Sequence, residues 1–424
     1  MKTLVRLYLL LFMPLMFVAC GVNSGGDGGD NGDGGPFELV VEELKCDNPL
    51  IYGTGGEVDL SVQASSIWSA KLLDNRDKSW VTLSQSGSSL NIKTAQNNTK
   101  AERETSILIT CGDIEHTVQV RQLRNIFRRE EIGTRRVRNE LRGEYIKNAL
   151  SQLVVILPIP TSNIYQDISD LSFSDGEQLM AGDGVTPYLY RCMSGSSAIP
   201  ESGETLISEE FTIKNYRVYV DFDAITSYVD IDTDSEPYRL YTGSSGDIID
   251  PNNATIVQLA ESLWAESNND IVEYARLAYM WVAKNMSYIN PNTGLHPVAD
   301  ILANGGGDCG NQATVFNSLM RNRNIPARHI VMVRTDGTFH VRSEFYLAGY
   351  GWIPVDANAK NMMPLGDFFG IIESNEIVVN SNINLTLKVT DRDSATLALL
   401  QNYAYWYWCT AEPYITLYHQ VRKM

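Results

Sequence analysis

The chain has 424 residues, 44% of them apolar, and a formal net charge of −17, so it can bury sizeable cores and by length holds more than one domain. A charge of that sign excludes nucleic acid as the main partner, because a polyanion is bound by a basic surface that releases counterions. Beyond the first residues no segment is long and apolar enough to span a bilayer.

Residues 1–20, MKTLVRLYLLLFMPLMFVAC, place Lys2 and Arg6 ahead of an apolar run too short for an ordinary spanning helix and end in small residues before Cys20. This pattern predicts an export signal peptide. Val18-Ala19-Cys20 resembles the lipobox of bacterial lipoproteins, with Phe17 where that motif more often has Leu. The resemblance implies cleavage before Cys20 and anchoring to a membrane through lipid on that cysteine. Residues 21–36, GVNSGGDGGDNGDGGP, have almost nothing apolar to bury and predict a flexible acidic tether. The expected location is the cell envelope at the outer membrane, with periplasmic and surface-exposed display as rival placements. Of the six cysteines, Cys46, Cys111, Cys192, Cys309 and Cys409 remain after Cys20. Cys46 and Cys111 form the favoured disulfide pair, with two buried thiols as the alternative.

Residues 37–124 read as short strands separated by turn residues: EVDLSVQA, IWSAKLL, WVTLSQ, SLNIKTA, TSILITCG and HTVQVRQL. Alternation such as Val58-Asp59-Leu60-Ser61-Val62 predicts strands with one buried face, and hence an all-β sandwich. The segment resembles the BACON modules, which are small immunoglobulin-like sandwiches, in SSIWSAK with Trp68, SWVTLS with Trp80, NNTKAERETSILIT with Asn97 and Arg103, and HTVQVRQL with Gln122. The resemblance implies either a spacer or a module that binds glycan or mucin. Trp68 and Trp80 are the candidate glycan contacts, and core packing is the competing reading of both.

Residues 125–244 begin polar and mixed in charge; the run RRVRNELR, Arg135 to Arg142, reads as a solvated face. LVVILPIP, YLYRCM and EEFTIKNYRVYVDFDAI follow as strand-like runs. A central β-rich accessory domain without a catalytic constellation is predicted.

Within residues 245–424 the period changes. Ile256, Leu259 and Leu263, then Ile271, Tyr274, Ala278 and Trp281, keep helical spacing, with Asn253 and Asp270 as N-caps. Gly305-Gly306-Gly307 follows as freely turning backbone, and Asp308 is placed to cap a helix whose buried side is Val315, Phe316, Leu319 and Met320. Cys309 then falls in the first helical turn, where unpaired amides and the helix dipole favour an anion. A free thiol titrates near ~8.5, and a helix N-terminus with a neighbouring imidazolium brings such groups down to roughly 4 to 7. ARHIVMVRT, FHVRSEFYL and GWIPVDANA read as three strands, the first two joined at Asp336-Gly337. They bring His340 and Asp356 side by side on adjacent antiparallel strands.

These motifs, GGGDCGNQA, LMRNRNIPARHIV, HVRSEFYLAGYGWIPVDA and the upstream AYMWVAKNMSYI, resemble the core of the transglutaminase-like superfamily, an α+β papain-like cysteine fold. The resemblance implies Cys309 as nucleophile, His340 as general base and acid, and Asp356 as the group orienting the imidazole. It implies attack on peptide or glycopeptide amide bonds through a thioester, with a protein or glycopeptide as substrate. Where the family commonly has a small residue and then tryptophan after the histidine, this chain has Val341 and Arg342. On a strand Arg342 shares a face with His340 and Glu344, and either pairs with Glu344 or lines the cleft as a substrate contact. Asn311, Gln312 and Tyr288 are further substrate-contact candidates. NYAYWYWCTAEPYITLY, with Cys409, reads as a terminal strand or an exposed stacking surface for sugar. His296 and His329 lack metal-ligand spacing, so neither a metal nor a cofactor is implied. A binding-only surface lipoprotein and a protein-crosslinking transglutaminase stand as alternatives to the hydrolase.

Overall fold

The structure is a computed structural model that describes residues 39–41, 52–290, 294–373, 375–411 and 414–424. The signal peptide, Cys20, the tether and Cys46, and with Cys46 the pairing to Cys111, lie outside the described residues.

The first folded unit is the expected sandwich. Leu39–Val41, Gly56–Ala64, Ser89–Thr94 and Val81–Ser86 form one sheet, and Trp68–Leu72, Arg103–Cys111 and Ile114–Gln122 the other. Alternate positions such as Leu60, Val62, Ile107 and Ile109 fill the space between them. Trp68 and Trp80 belong to that core, which corrects their candidacy as glycan contacts. The Trp68 indole donates to the Gly87 carbonyl at 3.1 Å and the Trp80 indole to Asp77 at 3.1 Å, while the Arg103 guanidinium lies 4.2 Å from the Trp80 ring centre. Neither ring keeps a free face for stacking. Asn97 and Gln122 are also buried: Asn97 donates to the carbonyls of Ala101 and Leu123, and Gln122 to those of Tyr52 and Ala95. The residues that carry the BACON resemblance are thus its framework.

The central region is a second sandwich. One sheet orders Gln166–Phe173, Thr205–Val220, Phe127–Tyr145 and Ile415–Lys423, and the other Glu177–Met180, Pro187–Ser194, Leu150–Pro158 and Ala404–Cys409. Leu141, Leu153, Leu189 and Ile207 meet between them. The run at Arg135 to Arg142 is not a uniformly solvated face. It lies inside a 19-residue strand that buries Val137 and Leu141 and turns Arg136 and Arg138 outward to Glu210. A boundary at residue 244 also divides elements that share sheets, because the two C-terminal strands supply an edge to each sheet of this sandwich.

The third unit contains α1 (Glu236–Tyr241), α2 (Ala254–Glu266), α3 (Ile271–Asn285), α4 (Val298–Asn304), α5 (Cys309–Asn322) and α6 (Ala357–Met362). They surround an antiparallel sheet ordered Gly351–Val355, Phe339–Leu347, Ala327–Val333 and Ile377–Asn380. Asn253 accepts from the amides of Thr255 and Ile256, and Asp270 from that of Glu273, so both expected caps are in place. The α5 helix is buried on all sides rather than along one stripe: Gln312, Thr314, Asn317 and Ser318 are as inaccessible as Phe316 and Leu319. It is the central helix of the unit, packed between α2, α3 and α4 on one side and the sheet on the other.

Candidate active site

The polypeptide before Cys309 is shaped by close approach. Gly305 ends α4 with φ of +67°, the left-handed conformation that glycine adopts without cost. Gly306 and Gly307 pair in parallel with Ser287 and Tyr288. A Cβ on Gly306 would sit 2.1 Å from the Ser287 carbonyl oxygen, and one on Gly307 would sit 2.4 Å from the Asn311 Cβ. The glycine run therefore packs tightly where sequence reasoning expected freedom.

Asp308 caps α5 by accepting from the Asn311 amide at 3.0 Å and from the Asn311 side chain at 2.9 Å. Burial pushes its carboxyl up, against these hydrogen bonds. Asn311 also donates to the Gly294 carbonyl at 3.1 Å and accepts from the His296 amide at 2.9 Å. It ties the 294–296 loop to the helix and is fully buried. Gln312 is equally buried, with its side-chain amide 3.4 Å from the Gly307 carbonyl. Neither residue reaches the cleft, which corrects their reading as substrate contacts.

His340 stands on the inner strand Phe339–Leu347, and its Nε2 donates to Asp356 Oδ2 at 2.6 Å. The other Asp356 oxygen accepts from the Ala359 amide at 2.8 Å and caps α6. Burial opposes a charge on His340. The Asp356 carboxylate outweighs it, aided by a hydrogen bond with Cys309 and the charge of Glu376, and His340 is lifted to about 10. Asp356 moves the opposite way: burial would raise it, and His340 holds it below its ordinary value. The Asp356 carboxylate therefore favours the charged imidazole, with Nε2 committed to it.

Cys309 and His340 open on a cleft of about 570 Å³ that Asp356 also lines. Tyr288 borders it, and its phenol is pushed up by burial and then by the charges of Cys309 and Asp308. Phe339, Met362, Met363, Phe368 and Ile372 supply an apolar wall. Arg342 also lines the cleft, but it is almost wholly buried and pairs with Glu376 at 3.1 Å, its guanidinium 4.3 Å from the Tyr165 ring centre. Glu344, the expected partner, bonds Arg328 at 2.8 Å and the Tyr165 hydroxyl instead. Glu376, held by both Arg334 and Arg342, was invisible to sequence reasoning. It lies beyond every motif, and only the sheet pairing of Ile377–Asn380 against Ala327–Val333 brings it behind His340.

His329 does not join this group. It is buried between Thr314 and Asn317 at 3.1 and 3.2 Å, and burial lowers it to about 3, so it is a neutral core residue.

The family model described as the Transglutaminase-like superfamily matches residues 257–357, which span α2 to the start of α6. A second model, BACON, described as "Putative binding domain, N-terminal", matches residues 66–123. The chain carries a transglutaminase-like core behind a BACON domain. A curated relative, an "Uncharacterized protein" of Haemophilus influenzae, is 35% identical over a 122-residue alignment covering 22% of this chain and 33% of that one. The chain thus spans about a third of that relative's length. Among solved structures, a "Putative Cysteine Protease" from Cytophaga hutchinsonii is 16% identical with a TM-score of 0.44, covering 70% of this chain and 93% of that one. A "putative protease" from Parabacteroides distasonis is 8% identical with a TM-score of 0.24, covering 72% and 60%.

Proposed function

We propose that this transglutaminase-like core is a cysteine hydrolase that cleaves amide bonds of peptides or glycopeptides in the cell envelope. In this reading Cys20 carries the lipid anchor and the BACON domain holds the core away from the membrane. What supports it is the hydrogen bond between His340 and Asp356 and the cleft, with room for a side chain, that both residues share with Cys309 at the start of α5.

The Cys309 sulfur attacks the amide carbon as its proton passes to His340. Asp308 already takes the amides of Asn311 and Gln312, so the Cys309 amide is the first-turn donor this reading assigns to the developing oxyanion. As the tetrahedral centre collapses the C–N bond breaks, and His340 Nδ1 gives its proton to the departing nitrogen, leaving a thioester and a free amine. Water then transfers a proton to His340 as its oxygen attacks the thioester. The C–S bond breaks, a carboxylic acid leaves, the sulfur takes back a proton from His340, and both residues return to their starting forms. An amine in place of water would make the same site a crosslinker. Met362, Met363 and Phe339, exposed at the cleft and apolar, favour a substrate with an apolar side chain beside the scissile bond.

The test is alkylation by iodoacetamide across pH, with each cysteine read separately by peptide mass mapping, since Cys192 and Cys409 are exposed thiols. Cys309 is expected to react faster than Cys192 at neutral pH, and to slow in His340→Ala. Reaction of Cys309 no faster than Cys192 at neutral pH would end the proposal and return the binding-only reading.

A further inference from the structure

The catalytic reading leaves the aromatic C-terminal stretch unused. The outer face of the central sandwich's second sheet carries an open groove of about 520 Å³ that shares no lining residue with the catalytic cleft. Its floor includes a cross-strand row. Trp408 pairs with Gln152, and Gln152 pairs on its other side with Ser194, so the three side chains point the same way. The strand bearing Gln152 is hydrogen-bonded on both sides, so recognition there falls to side chains.

Trp408 keeps 37% of its surface exposed, and the groove around it is largely polar. The wall is built in advance of any ligand. The Lys388 ammonium lies 5.2 Å from the ring centre of Tyr190, and pairs with Asp391 at 3.0 Å and Glu177 at 3.6 Å. The Tyr190 hydroxyl donates to the Val389 carbonyl at 3.1 Å, pinning the same segment from below. Arg392 stands in the adjoining turn. An exposed indole that shares a groove with carboxylates, an amide and a guanidinium matches a molecule with an apolar C–H face and hydroxyls at its edge. Carboxylates outnumber cations in the groove, so an anionic ligand is disfavoured.

We propose that this groove binds a neutral oligosaccharide, with a pyranose ring stacked on Trp408 and its hydroxyls bonded by Gln152, Asp391 and Arg392. The proposal does not depend on the amide-bond chemistry of Cys309. It moves sugar recognition from the BACON tryptophans, which are core, to the central sandwich.

The test is saturation-transfer NMR on the full chain with neutral trisaccharides of glucose, mannose, xylose and N-acetylglucosamine, and with sialyllactose and trialanine as contrasting probes. At least one neutral trisaccharide is expected to bind. Trp408→Ala is expected to weaken it by about tenfold or more, Trp408→Phe to retain most of the affinity, and Arg392→Ala, at an exposed side chain, to weaken it measurably. Binding by no neutral sugar, preference for sialyllactose or trialanine, or affinity unchanged in Trp408→Ala would overturn the proposal. Should Trp408→Ala fail to fold, unchanged affinity in Arg392→Ala and Glu177→Gln together would do the same.

Discussion

Asp356 divides its two oxygens between the imidazole of His340 and the first turn of α6. One carboxylate thus orients the ring and starts the helix that borders the cleft. Asp356→Asn keeps an acceptor for the cap but cannot hold the imidazolium. Alkylation of Cys309 at neutral pH is expected to fall by about a hundredfold or more, with the fold retained by circular dichroism. The same pair sets a pH dependence of stability. His340 is raised from 6.5 to about 10, so its contribution is whole below the unfolded value and disappears as pH climbs through the folded one. Asp356 is lowered from 3.8, so its share is present above that value and lost in stronger acid. The gap in melting temperature between wild type and Asp356→Asn should therefore be widest near pH 5 to 6 and narrow towards pH 10. A gap that widens with rising pH would contradict the charge assignment. Asn311 is a different kind of residue. Its buried side chain serves Asp308, Gly294 and His296, so Asn311→Ala is expected to cost about 1–3 kcal/mol in urea unfolding through the loop it holds. The GGGDCGNQA pattern placed Cys309 at the start of a helix from residue types alone. It did not separate Asn311 as an anchor from Asn311 as a substrate contact, because both roles use the same amide.

Among elements, the short parallel pairing of Gly306-Gly307 with Ser287-Tyr288 lies directly before Cys309. It fixes the entry into α5 and sets Tyr288 beside the sulfur. Gly306→Ala would place a methyl 2.1 Å from the Ser287 carbonyl oxygen, and the two segments must separate. The expected outcome is a folded protein with lower melting temperature and slower alkylation of Cys309; an unchanged reaction rate would show that the pairing is dispensable. The helix caps and the Asp336-Gly337 hairpin were legible because their signals are local, and Gly337 takes φ of +83° as that turn requires. The α6 helix was not. ANAKNM directly continues a strand and has no apolar period, and Asp356 reads equally as the end of that strand or the start of a helix.

For the molecule as a whole, the last two strands decide more than their position at the chain's end suggests. Ala404–Cys409 and Ile415–Lys423 edge the two sheets of the central sandwich, and Gln401 just before them donates to the backbone carbonyls of His340 and Met332. Removing residues 404–424 strips an edge from each sheet, exposing Leu141 and Leu153 of the shared core. Insoluble or molten protein is expected, measured by solubility and near-ultraviolet circular dichroism. Residues 52–124, with a core of their own, should in contrast give a dispersed amide NMR spectrum in isolation.

The pairing of His340 with Asp356, the first sandwich and the helices around Cys309 followed from short-range chemistry: alternation, caps, turn dipeptides and one cysteine after Asp308. Long-range pairing settled the remainder. It buried Trp68 and Trp80, gave Arg342 to Glu376 rather than Glu344, returned the C-terminal strands to the central sheets, and set Trp408 beside a groove built from segments distant in sequence. Each of these outcomes depends on which surfaces meet across the chain. A residue's type and its near neighbours carry no record of that, because the same tryptophan or arginine lowers the free energy equally well in a core, in an ion pair or at an open face.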